Sequence, residues 1–413
     1  MTVVHIRGIA AGGDGVGRLE DGMTVFVPRT APGDDVAVEI TQRRRRHARG
    51  RALEVRVPGP GRVTPACAHY VRDACGGCQL QHLDAAAQLA AKQAVVGEAL
   101  RRIGRRDLSD PVIVPSATAW RYRTKLTLTA GPGGEPIGLH QVGRPDAIFD
   151  LEDCPITDER LMAFWAAVRA HRRLLPAEVR DIVLRVDQAG GVHLIAHSTP
   201  PVWDAAPLAA AVGRADVSYW WRPAAGAARV VAGPATGFPA LAFEQANPVL
   251  AGEIRAAAVA ALAPGPGITA WDLYGGVGEG ARRLAETGAA VWSVEVDRSA
   301  VEWAARQPGA HRPTYVQGLV EEALPRLPPP QAVLINPPRT GAHARVTQAL
   351  ERLAGERTPG PRVAYVSCDP ATLARDLARL PSYVVRQVVA YDLFPQTSHV
   401  ETLVALEAAC STR

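Results

Sequence analysis

The chain has 413 residues, which is enough for two to four domains at roughly 100–200 residues per domain. Apolar residues make up 47% of it, so ordinary hydrophobic cores can form, and the formal charge of +5 gives a mild bias toward polyanionic partners. No apolar run is long enough to span a bilayer and the first residues lack a signal-peptide pattern, so we expect a cytoplasmic protein with no membrane partner.

Short alternating strands separated by glycine turns are predicted within residues 1–57 and favour a small β-barrel. An unbroken arginine run, Arg43 to Arg46, leads off the last of these strands. Such a run can be a solvated charged face, but four adjacent arginines favour contacts with nucleic-acid phosphates.

Residues 58–65 are rich in proline and glycine and are typical of a linker, and a helix is predicted over residues 84–103. Between them lie three closely spaced cysteines, Cys67, Cys75 and Cys78, and Cys154 is the other cysteine placed to join them. In a reducing compartment such clustering favours a metal site over disulfides. The spacing leaves both tetrahedral zinc and an iron–sulfur cluster open.

The pattern over residues 112–150 returns to strands, and residues 120–125 alternate aromatic and basic side chains. Such alternation can stack on splayed bases and hold phosphates. Residues 158–235 mix helix and strand and carry no recognisable motif.

From about residue 249, apolar strands alternate with helices, and strands are predicted at residues 269–273, 291–294, 332–335 and 363–366. This alternation predicts a doubly wound, Rossmann-like α/β domain with a mostly parallel sheet.

A glycine loop that includes Tyr274, Gly276 and Gly278 follows the first of these strands, and Glu295 ends the next one. Glycines let a ligand approach the backbone, and a carboxylate at that position suits a ribose diol. NAD and S-adenosylmethionine both present such a diol. The turn Asn336-Pro337-Pro338 after a later strand favours S-adenosylmethionine.

Cys368 follows the strand at residues 363–366, and Glu401 precedes an apolar strand near the carboxyl terminus. A lone cysteine is often only a small buried residue, but a polar strand end favours a nucleophile. A thiolate that adds to uracil C6 makes C5 nucleophilic toward a sulfonium methyl, and a carboxylate can then remove the C5 proton. We therefore expect a lowered pKa for the Cys368 thiol.

The segments Ser367-Cys368-Asp369-Pro370 and His399-Val400-Glu401 resemble the bacterial and archaeal uracil-C5 RNA methyltransferase family, which makes 5-methyluridine in transfer and ribosomal RNA. The similarity covers nearly the whole chain. It implies that Cys368 is the nucleophile and Glu401 the base. It also implies contacts with S-adenosylmethionine, made by Gln245, Tyr274, Gly276, Gly278, Glu295 and Asn336. Two residues depart from the family pattern, since Asn336 replaces an aspartate and Leu319 replaces a polar residue.

The resemblance also extends to the amino-terminal half. Residues 1–57 resemble a TRAM domain, and the Cys-Gly-Gly-Cys-Gln segment resembles that of members with a [4Fe-4S] cluster. The implied ligands are Cys67, Cys75, Cys78 and Cys154, although the first gap is longer than usual. The segment at residues 120–125 resembles the family's Tyr-Arg-Asn-Lys segment in the central domain.

We therefore predict three parts: a TRAM-like, OB-like RNA-binding barrel over residues 1–57, a central α+β domain over residues 58–240 with the cysteine cluster, and a methyltransferase domain over residues 241–413. The expected partner is RNA, with ribosomal favoured over transfer RNA, and the expected state is a monomer. Two other functions remain open: methylation of an exocyclic nitrogen, which gives Cys368 and Glu401 no role, and an inactive RNA-binding homologue.

Overall fold

The computed structural model describes residues 2–356 and 359–409, so Cys410 lies outside the described residues. Ten α-helices are present in this part of the chain, and no helix there is long and apolar enough to cross a membrane. The helices are α1 (Ala68–Arg72), α2 (Ala85–Arg102), α3 (Glu159–Ala170), α4 (Ala206–Val212), α5 (Pro248–Leu262), α6 (Glu279–Glu286), α7 (Arg298–Arg306), α8 (Val320–Ala323), α9 (Ala344–Glu356) and α10 (Pro370–Ala378).

The amino-terminal strands close into a barrel in the order β1-β2-β3-β5-β4, which confirms the predicted barrel. The strands are β1 (Thr2–Ile9), β2 (Gly15–Arg18), β3 (Thr24–Val27), β4 (Asp35–Arg43) and β5 (His47–Val57). The sequence did not predict β5. In the arginine run, Arg43 ends β4 and Arg44 to Arg46 connect it to β5, while Arg49 and Arg51 lie on β5 itself.

The barrel is fixed to the segment that carries the cysteines. The Arg29 guanidinium donates 2.8 Å to the Cys75 carbonyl and lies 4.0 Å from the centre of the Tyr70 ring. Asp34, fully buried, is paired with Arg62. A buried charge pair of this kind ties the barrel to the linker that follows it.

The central part is a seven-stranded sheet in the order β13-β12-β11-β10-β7-β8-β9. Its strands are β7 (Lys125–Ala130), β8 (Ile137–Gln141), β9 (Arg144–Asp150), β10 (Val179–Val186), β11 (Val192–Ser198), β12 (Val217–Arg222) and β13 (Arg229–Ala232). Helix α3 packs on this sheet through Phe164 and Trp165, and the four cysteines of the predicted cluster belong to the same core.

The carboxy-terminal part is an eight-stranded sheet in the order β16-β15-β14-β17-β18-β20-β19-β6. Its strands are β6 (Val112–Val114), β14 (Thr269–Leu273), β15 (Ala290–Glu295), β16 (Thr314–Gln317), β17 (Ala332–Ile335), β18 (Arg362–Ser367), β19 (Tyr383–Tyr391) and β20 (Glu401–Ala408). Strands β14 to β18 are parallel and β20 runs antiparallel to β18, so the mostly parallel α/β fold is confirmed.

Helices cover both faces of this sheet because its strand residues alternate between two cores. Ala270 and Leu334 face α5 and α6, whereas Trp271 and Val333 face α2, α8, α9 and α10. Helix α2 and strand β6 come from the segment predicted to be central. Strand β6 nevertheless pairs with β19 at the edge of the carboxy-terminal sheet, and α2 packs into the core of that sheet. Pairing of a strand with a partner almost 280 residues away has no local sequence signal.

Candidate active site and cysteine cavity

The nucleophile and base predicted from the sequence meet at one edge of the carboxy-terminal sheet. Ser367 on β18 pairs with Thr402 on β20 in antiparallel register, so the next residues along, Cys368 and Glu401, lie opposite each other. The Glu401 charge also acts on the Cys368 thiol and raises its pKa. The predicted pair therefore lies together.

The Glu401 side chain is 1% exposed, and neither of its carboxylate oxygens has a hydrogen-bond partner of good geometry in the described part of the chain. Burial raises the pKa of this carboxyl to about 8, while the Gln245 side chain and the Arg339 charge lower it. A buried, unpartnered carboxylate is costly to form, so the group stays protonated in the ligand-free protein at neutral pH.

The prediction of a lowered pKa for Cys368 is wrong for the ligand-free protein. Burial and the neighbouring Glu401 charge raise the pKa of this thiol to about 11, and Arg339 opposes that shift through its charge and a hydrogen bond. The sequence indicated a polar strand end, but it did not indicate that the thiol is largely shielded from water, which is the main cause of the raised pKa.

Arg339 is a site residue that the sequence reasoning did not single out. It follows the Asn336-Pro337-Pro338 turn, and its guanidinium acts on both Cys368 and Glu401. A cation beside a thiol favours the thiolate, and Arg339 lowers the pKa of Cys368 in this way. Its position directly after the Asn336-Pro337-Pro338 turn was the sequence feature that could have indicated it.

A cavity at the carboxyl ends of β14 and β17 lies beside this pair. Four residues predicted to bind the cofactor line it: Gln245, Tyr274, Gly276 and Asn336. Tyr274 has φ +63° and Gly276 has φ +53°, so the loop uses left-handed backbone that a non-glycine residue adopts only at a cost. Strain of this kind concentrates at ligand-binding loops.

Glu295 and Gly278 do not line the cavity. The Glu295 carboxylate accepts the amide of Gly276 at 2.9 Å and that of Asp297 at 2.8 Å, which fixes it beside the loop. A Cβ on Gly278 would lie 2.7 Å from the Ala304 Cβ, so packing accounts for this glycine. Leu319 is 44% exposed and also lies outside the cavity lining.

The four predicted ligand cysteines, Cys67, Cys75, Cys78 and Cys154, are all buried and line one cavity of about 450 Å³. No three His, Cys, Asp or Glu side chains of the described residues are close enough together to hold one metal ion.

The cysteine cavity reaches the active site, because Gln245, Arg339 and His399 line it as well. Burial raises the pKa of Cys75 to about 11 and of Cys78 to about 12, and the neighbouring cysteines add to both shifts. These thiols are protonated near neutral pH unless a metal or cluster binds them.

The alternating segment at residues 120–125 is only partly available for RNA. Tyr122 is buried and donates a 2.9 Å hydrogen bond to the Pro395 carbonyl, so the expectation that it stacks on a base is wrong. Arg121 is paired with Asp153. Arg123 and Lys125 line the cysteine cavity, and their contact with RNA stays a prediction.

Comparison with known proteins gives two family matches. The TRAM domain profile matches residues 3–53, and the profile described as tRNA (Uracil-5-)-methyltransferase matches residues 329–409.

Curated relatives match over nearly the whole chain. The 23S rRNA (uracil(1939)-C(5))-methyltransferase RlmD of Halomonas elongata is 32% identical, over 99% of this chain and 90% of the relative. The protein of the same name in Aromatoleum aromaticum is 33% identical, over 98% of this chain and 100% of the relative.

Among solved structures, the Pyrococcus abyssi tRNA (uracil-54, C5)-methyltransferase in complex with S-adenosyl-L-homocysteine matches with a TM-score of 0.74 and 24% identity. The match covers 97% of this chain and 99% of that one. At this identity the likeness establishes the shared fold.

Proposed function

The chain belongs to the RNA uracil-C5 methyltransferase family, which uses S-adenosylmethionine, and we propose that it makes 5-methyluridine in ribosomal RNA through Cys368 and Glu401. One observation carries the proposal of these two residues: a half-buried thiol and a fully buried carboxylate lie opposite each other on β18 and β20, beside the cofactor cavity.

In the proposed reaction the Cys368 sulfur bonds to C6 of the uracil, and the electron pair displaced from the C5–C6 double bond makes C5 nucleophilic. S-adenosylmethionine, when bound, supplies an electrophilic methyl group. Once C5 carries the methyl group, Glu401 takes the C5 proton. The C5–C6 double bond then re-forms and the bond from sulfur to C6 breaks, which returns the thiolate.

Arg339 and Gln245 have supporting roles in this proposal. The Arg339 guanidinium stabilises the thiolate of Cys368 before attack and after release. Gln245 lines both cavities and interacts with the Glu401 side chain, so it holds the base as well as contacting the cofactor. The uridine must leave its base stack to reach these residues.

We propose that Gln245, Tyr274, Gly276, Gly278, Glu295 and Asn336 bind S-adenosylmethionine. The strained glycine loop allows close approach, and the fixed Glu295 carboxylate keeps lone pairs free for a ribose diol. Asn336 offers a carbonyl acceptor without the charge of an aspartate. Gly278 contributes through loop shape, because no part of it faces the cavity.

We further propose a [4Fe-4S] cluster on Cys67, Cys75, Cys78 and Cys154. All four cysteines are buried and line one cavity, which supports a metal group that they share. Uracil methylation needs no electron transfer, so the cluster has a structural role. The metal content of the purified protein tests this, with about four iron and four sulfide expected per chain.

Ribosomal RNA is proposed as the substrate because the curated relatives with that activity in their names match end to end. Mapping of 5-methyluridine in RNA from cells with and without the gene tests this. Loss of one 5-methyluridine from the large-subunit RNA is expected. Loss from transfer RNA instead would contradict the choice of substrate but leave the chemistry intact.

A further inference from the structure

The segment between β19 and β20, residues 392–400, leads directly into Glu401, and residues far away in the sequence hold it. Its backbone carbonyls and amides bond to groups within residues 79–122, roughly 270 to 320 positions earlier. These contacts are Leu80 N to Gln396 O at 2.9 Å, Gln396 N to Gln88 Oε1 at 2.9 Å, Lys92 Nζ to Phe394 O at 3.0 Å, Tyr122 Oη to Pro395 O at 2.9 Å and Ser398 N to Gln79 Oε1 at 3.2 Å.

Gln79 is the contact that joins this segment to the cysteine loop. Its side-chain Nε2 donates 2.7 Å to the carbonyl of Gly76, which lies between Cys75 and Cys78. Its Oε1 accepts the backbone amide of Ser398, three residues before Glu401. One amide side chain therefore bridges the proposed cluster loop and the approach to the proposed base.

The barrel closes over the same contact. A Cβ on Gly13 would lie 2.6 Å from the Gln79 Cβ and 3.1 Å from the Ser398 Cβ, so the barrel turn packs directly against both residues. The φ of Gly13 is +90°, which favours glycine. All three parts of the molecule thus meet at the Gln79–Ser398 hydrogen bond.

Glu401 needs support beyond its interaction with the Gln245 side chain, because neither of its carboxylate oxygens has a hydrogen bond of good geometry within the described residues. Its position depends on the pairing of β20 and on the course of the segment before it. A shift of about 1 Å in a catalytic group can cost a hundredfold in rate. The residues that hold the segment therefore control whether the carboxylate lies near C5.

We infer that Gln79 is a positioning residue for Glu401, through which the cysteine loop holds the base in place for proton removal. The inference rests on the function proposed above. It assigns the cysteine-lined region a specific effect on the reaction: it supports the last step, loss of the C5 proton, and not the attack by Cys368.

The test uses Gln79→Met, which keeps the length of the side chain and removes its hydrogen bonds to Gly76 and Ser398. Turnover on uridine RNA is expected to fall roughly tenfold to a hundredfold. Because the methyl group arrives before the proton leaves, the covalent protein–RNA intermediate should accumulate, visible as a slowly migrating band on a denaturing gel. Glu401→Gln provides the reference for full accumulation.

A second readout separates positioning from a general loss of structure. RNA with 5-fluorouridine traps the enzyme without proton loss, because C5 carries fluorine in place of hydrogen. The trapping rate of Gln79→Met should therefore stay within about twofold of the parent. Gly13→Ala disturbs the same contact from the barrel side, and it should also accumulate the intermediate.

Gln93→Met is the matched control. Gln93 is also half-buried and donates one side-chain hydrogen bond, 2.9 Å to the Pro111 carbonyl, but its side chain makes no hydrogen bond to residues 392–400. This control variant should methylate RNA at the parent rate, without accumulation of the covalent intermediate. Metal content and melting temperature of every variant are measured in parallel.

The outcomes separate the two proposals. If Glu401→Gln accumulates the intermediate but neither Gln79→Met nor Gly13→Ala does, the inference alone is overturned. Equal losses of turnover and trapping in Gln79→Met would also overturn it, since the role would then be structural. If Glu401→Gln turns over normally, the proposed base is wrong and the inference fails with it.

Discussion

The active site and the cysteine cavity both contain buried or half-buried cysteines, and burial raises the thiol pKa in both. Cys368 has a pKa of about 11, as does Cys75. Their neighbours differ. The charges acting on Cys368 are those of Glu401, Arg339 and Asp369, whereas those acting on Cys75 are two other cysteines of the cavity, Cys154 and Cys67, and the Arg29 cation.

Burial and a raised thiol pKa are common to both regions, so they do not distinguish the proposed nucleophile from the proposed cluster ligands. The groups that surround each cysteine distinguish the two regions. A thiol beside a cation and a proton acceptor is equipped for one covalent reaction with a substrate. Thiols that face one another in a closed space are equipped to share a metal group.

The largest effect is expected from Cys368→Ala, which removes the only nucleophile proposed for the reaction. Methyl transfer to RNA should fall by roughly 10⁴-fold or more, because C5 is not activated without attack at C6. Transfer of a labelled methyl group checks this. The affinity for S-adenosylmethionine should remain unchanged, and substantial residual activity would instead favour methylation of an exocyclic nitrogen.

Glu401→Gln should reduce turnover by about 10²- to 10⁴-fold while the attack by Cys368 continues. A covalent intermediate with ordinary RNA is the expected sign. The variant should also unfold less readily at alkaline pH, by about 1–2 kcal/mol, because it removes a buried carboxyl without a well-formed hydrogen bond. Rapid turnover without an intermediate would assign the base elsewhere.

Cys78→Ser tests the other region. We expect loss of the metal group and a lower melting temperature, since folding free energy is coupled to occupancy of the site. Turnover should fall roughly tenfold through the loosened Gln79 contact, while 5-fluorouridine trapping continues. A loss as large as that of Cys368→Ala would contradict the distinction between the two regions.

The pH dependence follows from the active-site groups, both of which must lose a proton. The pKa of Glu401 is raised to about 8 and that of Cys368 to about 11, so methylation should rise by well over about tenfold between pH 7 and pH 8. The stability of the folded protein changes with pH in the opposite direction to the activity. The neutral Glu401 carboxyl stabilises the folded state at low pH, and this contribution decreases between pH 4.5 and about 8. Glu401→Gln should lack that decrease in urea titrations.

The smallest effect on catalysis is expected from the barrel. Arg44, Arg45 and Arg46 are exposed and form no ion pair with the described residues, whereas Arg43 is paired with Asp21. Changing the three unpaired arginines to Ala should weaken RNA binding and lower the salt slope by roughly 0.7 for each phosphate that the barrel no longer neutralises. The turnover number at saturating RNA should not change.

The sequence predicted the features that depend on local order. Cys368 and the glycine loop follow apolar strands, and parallel strands bring their carboxyl ends to one edge of a sheet, so their proximity could be expected. The barrel and α2 were also predicted, because alternation and helical periodicity are local patterns.

Features that depend on distant contacts could not be predicted. Strand β6 joins the carboxy-terminal sheet, Tyr122 is buried against Pro395, and Gln79 reaches Ser398 across more than 300 residues. The raised pKa of Cys368 has the same origin, since burial is a property of the assembled fold. Local patterns contain no information about which distant surface excludes water from a given side chain.

The central claim is that the Cys368 sulfur bonds to the uracil ring. Incubation with S-adenosylmethionine and RNA that contains 5-fluorouridine, followed by proteolysis and mass spectrometry, measures this bond directly. We predict a methylated fluorouridine adduct on the peptide that contains Cys368, and no adduct on the four cysteines of the cavity. The absence of any adduct, or an adduct on a different residue, would contradict the account.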